Sequence, residues 1–427
     1  MVWRPRRQRS CAYFVLCTPA ILAAIILSCD TPGIRLVNPD VSDSSAGVTF
    51  RVTLEDSALA EALGWEDGVP RALISFHRIS ADAPIRAVET DSNGSVVLHD
   101  MLRGRYRLAT YKVLQEDETG PTGGQIRAFG DGLIRSVYPP QLVELTLRAD
   151  RRGSVVISEL RGGGRYEGPG SLWPEYDWFG YFELYNNGDT TVYLDGMLWG
   201  KGFGLNTDGV NSCAATAPYR NDPRGVWTRF FHQFPGSGTD YPLAPGETAV
   251  IARDAVDHSV VHPSLPDLTS ATFELEGTAD ADNPDVPNMP EVGPSKMWWE
   301  GAGLDLSCSR GCFLAGAVDL ASVPTERLPF FGGTVTWVRI PMESILDVVT
   351  TGIWSPSYDQ FDPCATKVHR DLDRLEDPQD EVYYDVSVSP QRRVLRIGSG
   401  GLPLLQDVGV SFWDFELAPR SPGWIEF

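Results

Sequence analysis

The chain is short of basic charge, of histidine and of long apolar runs, and each shortage removes a class of function. Lys and Arg number 36 against 57 Asp and Glu, for a net charge of −21. Nucleic-acid affinity rests on neutralising phosphates with cations, so DNA and RNA are not expected partners. Six histidines in all, and no H-E-x-x-H, leave little material for a catalytic zinc. No G-x-S-x-G or serine–lysine pattern offers an activated nucleophile. Gly162-Gly163-Gly164 follows a strand pattern but lacks the Lys and Ser/Thr of a phosphate loop. The expectation is that the chain is not an enzyme.

The one long apolar run lies at the start. Arg4, Arg6, Arg7 and Arg9 precede an almost uncharged stretch from Ala12 to Leu27, shorter than the ~20 residues that span a bilayer comfortably. Gln8-Arg9-Ser10 does not continue a twin-arginine pattern. Ile26-Leu27-Ser28-Cys29 fits a lipobox, where cleavage frees the Cys29 amine for acylation. Residues 1–28 are thus read as a lipoprotein signal peptide and 29–46 as a polar tether. The lipid bilayer becomes a partner through acylated Cys29, and two or more acyl chains make such anchoring stable. The location expected is the cell envelope, the outer membrane ahead of the inner. Loss of the signal removes four arginines and no acids, lowering the net charge from −21 by four to −25.

Seven cysteines become four once Cys11 and Cys17 leave and Cys29 is lipidated. Cys213, Cys308, Cys312 and Cys364 remain, an even number suited to an oxidising compartment. Two disulfides in three pairings are open. Cys308–Cys312 with Cys213–Cys364 is preferred, because Ser309-Arg310-Gly311 can turn tightly; a Cys₄ zinc site lacks a second close pair.

The remaining length of about 400 residues suffices for two or three domains, and 42 Gly with 32 Pro favour short strands between turns. Val48, Phe50, Val52 and Leu54 alternate with polar residues, as do Val143, Leu145 and Leu147, the pattern of half-buried strands. Asn93-Gly94 reads as a hairpin turn. Farther on, Val155 to Leu160 is a strand, and Val394 to Ile397 another, ahead of a glycine turn.

Thr90-Asp91-Ser92-Asn93-Gly94-Ser95, followed by Gly104-Arg105-Tyr106-Arg107-Leu108, resembles the carboxypeptidase-regulatory or collagen-binding-B type of β-sandwich. Tyr181-Phe182-Glu183-Leu184-Tyr185-Asn186-Asn187-Gly188-Asp189, then Leu194-Asp195-Gly196, and later Leu243-Ala244-Pro245-Gly246-Glu247, resemble the lamin-tail domain, although Met197 replaces its tryptophan. The two resemblances imply an all-β chain of two sandwiches: residues 47–150 transthyretin- or immunoglobulin-like, and 151–427 lamin-tail-like with long loop insertions and a C-terminal extension. More broadly, Tyr181 to Gly196, Gln233 to Pro242, Asp257-His258, Asp282 to Asn288, and Arg339-Ile340-Pro341 to Val349 resemble an uncharacterised family of bacterial envelope lipoproteins. That resemblance implies an accessory to a TonB-dependent outer-membrane receptor in nutrient or metal uptake.

Three groups of residues are candidate sites. Asp254, Asp257, His258 and His262 could hold zinc, against the reading that Asp257 and His258 cap a loop. Asp280, Asp282, Asn283 and Asp285 crowd oxygen ligands as calcium requires, without an EF-hand glycine or terminal glutamate. Calcium or zinc are the only cofactors left open. Trp173, Tyr176, Trp178 and Phe179, with Trp298 and Trp299, cluster in loop-like stretches where rings can stack on sugars or anchor a partner. The function expected is that of a non-catalytic, lipid-anchored envelope binding protein. The alternatives are a surface carbohydrate-binding protein and a metal-dependent envelope enzyme.

Overall fold

A computed structural model describes residues 45–78, 86–102, 104, 106–113, 127–134, 141–150, 155–161, 179–202, 218–219, 222–277, 282–294, 308, 311–330, 333–350, 387–397, 401–407, 409 and 411–425. The chain is all-β. Strand β1 (Ser45–Leu54) completely buries Val48, Phe50 and Val52, since alternate side chains of a strand face one way. Helix α1 (Ser57–Leu63) follows, capped by the Asp56 carboxylate and ended by Gly64 in the left-handed region. Then come β2 (Leu73–Arg78), β3 (Arg86–Glu89), β4 (Ser95–Leu102), β5 (Tyr106–Val113), β6 (Arg127–Ile134) and β7 (Gln141–Asp150). They form one sheet in the order β3-β2-β5-β6-β7-β1-β4. β7 pairs in parallel with β1 from Gln141 to Leu147, but with β6 only from Arg148 to Asp150. The sheet therefore folds over at β7, around a core that includes Phe50, Trp65, Ile74, Phe76, Tyr106 and Leu147.

Gly94 has the positive φ expected of it, 70°. The turn is not a hairpin, however, because β3 pairs with β2 while β4 pairs with β1. It carries the chain from one leaf to the other and packs against Gly68 and Val69, where a Cβ on Gly94 would lie 2.4 Å from the Val69 nitrogen.

The second half begins with β8 (Val155–Arg161) and β9 (Tyr181–Asn186), buried at every position and so covered on both faces. It continues through β10 (Val192–Tyr193), β11 (Leu198–Lys201), β12 (Gly225–Thr228), β13 (Phe231–Gln233), β14 (Pro242–Leu243) and β15 (Thr248–Ala252). Then follow β16 (Phe273–Leu275), β17 (Asn288–Met289), β18 (Cys312–Ala315), β19 (Thr325–Phe330), β20 (Gly333–Pro341) and β21 (Ile345–Val349). The last strands are β22 (Val388–Arg392), β23 (Val394–Ile397), β24 (Pro403–Leu405) and β25 (Phe415–Pro419).

A seven-stranded sheet, β17-β16-β15-β9-β8-β22-β25, packs on a four-stranded one, β13-β11-β18-β21. Phe182 of the first stacks on Trp199 of the second at 4.4 Å, in a core shared with Val155, Phe273, Leu314 and Val349. Where two layers are expected, a third sheet, β12-β20-β19, covers the back of the four-stranded one. The cause is alternation of apolar residues on both faces: Trp199 and Leu314 face the main core, while their neighbours Leu198, Phe313 and Ala315 face a second core with Val226, Val338 and Ile340. Cys308 and Cys312 are joined by a disulfide at the start of β18. The C-terminal region completes the main sheet, since β22 pairs with β25 and meets β8 at Gln391 and Glu159.

Candidate binding groove

Beside the seven-stranded sheet, three segments distant in sequence wall an open groove of about 620 Å³: the β14–β15 connection, the Gly401–Pro403 turn and the Gly423–Ile425 end of the described chain. Beneath it lies Phe273, fully buried in the core between the sheets, which meets Tyr241 edge-on at 4.8 Å and Phe234 at 5.1 Å. Trp424 stands at the rim with 67% of its surface exposed. Asp240, Glu247, Thr248 and Thr272 supply the polar lining.

The YNNGD segment at the end of β9 holds these walls together. Tyr185 Oη donates to the Pro403 carbonyl at 2.6 Å, and burial pushes its phenol up to about 12. Asn187 mimics a strand partner for Leu405, donating to its carbonyl at 2.9 Å and accepting its N–H at 2.8 Å. Asn186 Nδ2 donates to the carbonyls of Thr190 and Leu243, both at 2.8 Å, which fixes β14. Gly246 N–H donates to the Asn186 carbonyl at 2.9 Å; at φ 77°, a Cβ on Gly246 would sit 2.7 Å from Leu402, so glycine lets the two walls approach. Asp195 receives the N–H groups of Gly238, Asp240 and Tyr241, each at 2.9 Å. Burial opposes its charge, yet these three donors prevail and hold its carboxyl below the usual range. The loop that presents Asp240 and Tyr241 is fixed in this way.

The C-terminal wall is tied to two buried carboxylates. Glu159 accepts the Ser421 N–H at 3.2 Å, along with the hydroxyls of Tyr181 and Ser389. Glu183 accepts the Gly423 N–H and the Ser158 hydroxyl, both at 2.6 Å. Burial raises both, Glu183 to about 7.

The residues singled out in the sequence lie elsewhere. His258 is fully buried with Nε2 against the Asp254 carbonyl at 2.9 Å, and burial lowers its pKa. Asp257 caps the short 3-10 turn by accepting the Ser259 N–H, and His262 Nδ1 meets the Ser264 hydroxyl. Asp282 accepts from Asn288, while Asn283 bonds the Ala255 carbonyl and accepts from Asp285. Among the described residues, no group of three His, Cys, Asp or Glu is placed to hold a metal. Phe179 is buried against Arg161. Cys29, Cys213, Cys364, Trp173, Tyr176, Trp178, Asp280, Trp298 and Trp299 lie outside the described residues. No helix among the described residues is long and apolar enough to cross a membrane. Sequence reading missed Tyr241, Phe273 and Trp424 because they are 32 and 151 residues apart in turn, and only the fold gathers them. The one usable signal was Arg420-Ser421-Pro422-Gly423-Trp424, a tryptophan in turn-forming surroundings.

No protein-family model and no curated protein matches the chain. Among solved structures, it is similar to a DUF4876 family protein from Bacteroides thetaiotaomicron, at 16% identity over 87% of this chain and 94% of that one, with a TM-score of 0.49. It is also similar to a candidate adhesin from Bacteroides ovatus (9% identity, 33% of this chain and 77% of that one, TM-score 0.16). A third is a candidate cell adhesion protein from Bacteroides eggerthii (9% identity, 72% and 79%, TM-score 0.17).

Proposed function

We propose that this chain is a non-catalytic binding protein of the cell envelope, tethered through acylated Cys29, and that the groove beneath Trp424 is its binding face. The observation that supports this most is the way the groove is made. Asn186, Asn187, Asp195, Glu159 and Glu183 spend hydrogen bonds on fixing three separate walls, while the Trp424 ring and the Asp240 and Glu247 carboxylates remain exposed. Binding sites commonly combine an apolar, aromatic floor with a few placed polar groups on a fixed scaffold. Within this reading the tethered chain serves an outer-membrane receptor of the TonB-dependent kind, presenting or retaining a ligand for uptake.

Affinity purification of the tagged, full-length lipoprotein from membranes in mild detergent tests the partnership. Recovery of one such receptor in stoichiometric amount is the expected result. Recovery of the bait alone, from cells expressing the receptor, would contradict it.

A further inference from the structure

We infer that the groove takes a neutral, polyhydroxylated chain, an oligosaccharide lying across Trp424; this rests on the binding reading above and names its ligand class. Charge narrows the class first. Among the described residues, the lining includes Asp240 and Glu247 but no lysine, arginine or histidine. An anionic ligand would meet two carboxylates and, among the described lining residues, no cation, on a chain whose net charge is already −21.

Polarity narrows it again. An apolar occupant would cover these carboxylates without replacing their water, and a polar group stripped of water is costly unless it regains a hydrogen bond. Glu247 uses Oε2 on the Ala244 N–H, and Asp240 uses Oδ2 on the Ser237 N–H and hydroxyl. Oε1 and Oδ1 face no such demand and can accept from ligand hydroxyls.

Shape decides the rest. Trp424 offers a flat, exposed ring, and the C–H face of a pyranose packs on such a surface while its hydroxyls reach sideways. About 620 Å³ lies within the usual range of small-molecule sites, roughly 300–1,000 Å³. A second cavity of about 210 Å³ shares Thr248, Thr272 and Gly423 with the groove and is lined further by Asp267 and Ser270. Hydroxyls and a carboxylate in a cavity adjoining the Trp424 groove suit a ligand that repeats one polar unit, as a glycan chain does.

Titration calorimetry on the full-length lipoprotein, held in a polyoxyethylene detergent that carries no sugar, tests this. The probes are maltohexaose, cellohexaose, xylohexaose and mannohexaose, with oligogalacturonate as the anionic counterpart and pentalysine as the cationic one. Binding of at least one neutral hexaose is expected, weakened about tenfold or more by Trp424→Ala and less by Trp424→Phe, with no response to oligogalacturonate. Silence toward all four neutral probes, equal affinity in Trp424→Ala, or response to pentalysine alone would each overturn it. Receptor capture in the same detergent separates the two readings. Capture with no glycan binding leaves the binding protein and removes the sugar, while failure of both removes both.

Discussion

Glu159 and Glu183 stand opposite each other across β8 and β9, and each accepts a backbone N–H from the last described segment of the chain. Buried positions on neighbouring strands are an expensive place for carboxylates. Their use here is to hold Ser421 and Gly423, and through them to place Trp424 at the rim of the groove. The Trp424 ring is thus positioned by residues that do not line the groove.

Ionisation of Glu183 should weaken the protein. Its folded pKa of about 7 lies above the ordinary value of 4.5. The folded state therefore holds a proton that the unfolded state has released. Its contribution is fully present below pH 4.5, falls as pH rises toward 7, and is constant above that. Glu159, raised by the same burial, acts in the same sense. His258, with a lowered pKa, acts oppositely below 6.5. Urea midpoints of the wild type and Glu183→Gln at pH 5 and pH 8 separate these effects. The wild type should lose more stability than the variant between the two values, and equal losses would refute the assignment.

Trp199 anchors the contact between the seven- and four-stranded sheets through its stack on Phe182. Trp199→Ala should cost about 3–5 kcal/mol, the usual range for removing a buried aromatic side chain, read as a lowered thermal midpoint. Trp424→Ala, at an exposed ring, should leave the midpoint nearly unchanged.

Arg392 is buried among Asp347 at 2.6 Å, Asp407 at 3.3 Å and Asp414 at 3.6 Å, and lies over the ring of Phe415. Removing one partner of a buried pair leaves uncompensated charge. Arg392→Met should therefore destabilise by about 3–5 kcal/mol in chemical unfolding. It should also detach β22 and β25 first, visible as early hydrogen exchange in residues 388–419.

Much of this frame is legible in the sequence, and the reason is periodicity. The alternation of Val48, Phe50 and Val52 describes β1, and Asp91 to Ser95 marks a turn whose glycine needs positive φ. The YNNGD and Pro245-Gly246-Glu247 motifs fall where the walls of the groove are joined. What these motifs do was not legible. Asn187 reads as a turn residue, yet its partner Leu405 lies 218 positions away, and no local pattern encodes such a pairing. The third sheet was hidden for a similar reason: Leu198 and Trp199 are adjacent in sequence but enter different cores. For Asp257 and His258 the sequence leaves ligation and loop capping both open; the fold uses Asp257 as a cap and buries His258.

Photo-crosslinking in the membrane asks where this protein makes contact. A benzophenone amino acid placed at Leu402, exposed on the groove wall, is compared with one at Val260, 80% exposed on the 3-10 turn outside the groove. The groove reading predicts a covalent adduct, glycan or receptor, from position 402 and none from 260. Adducts from 260 alone would place the binding face elsewhere and contradict it.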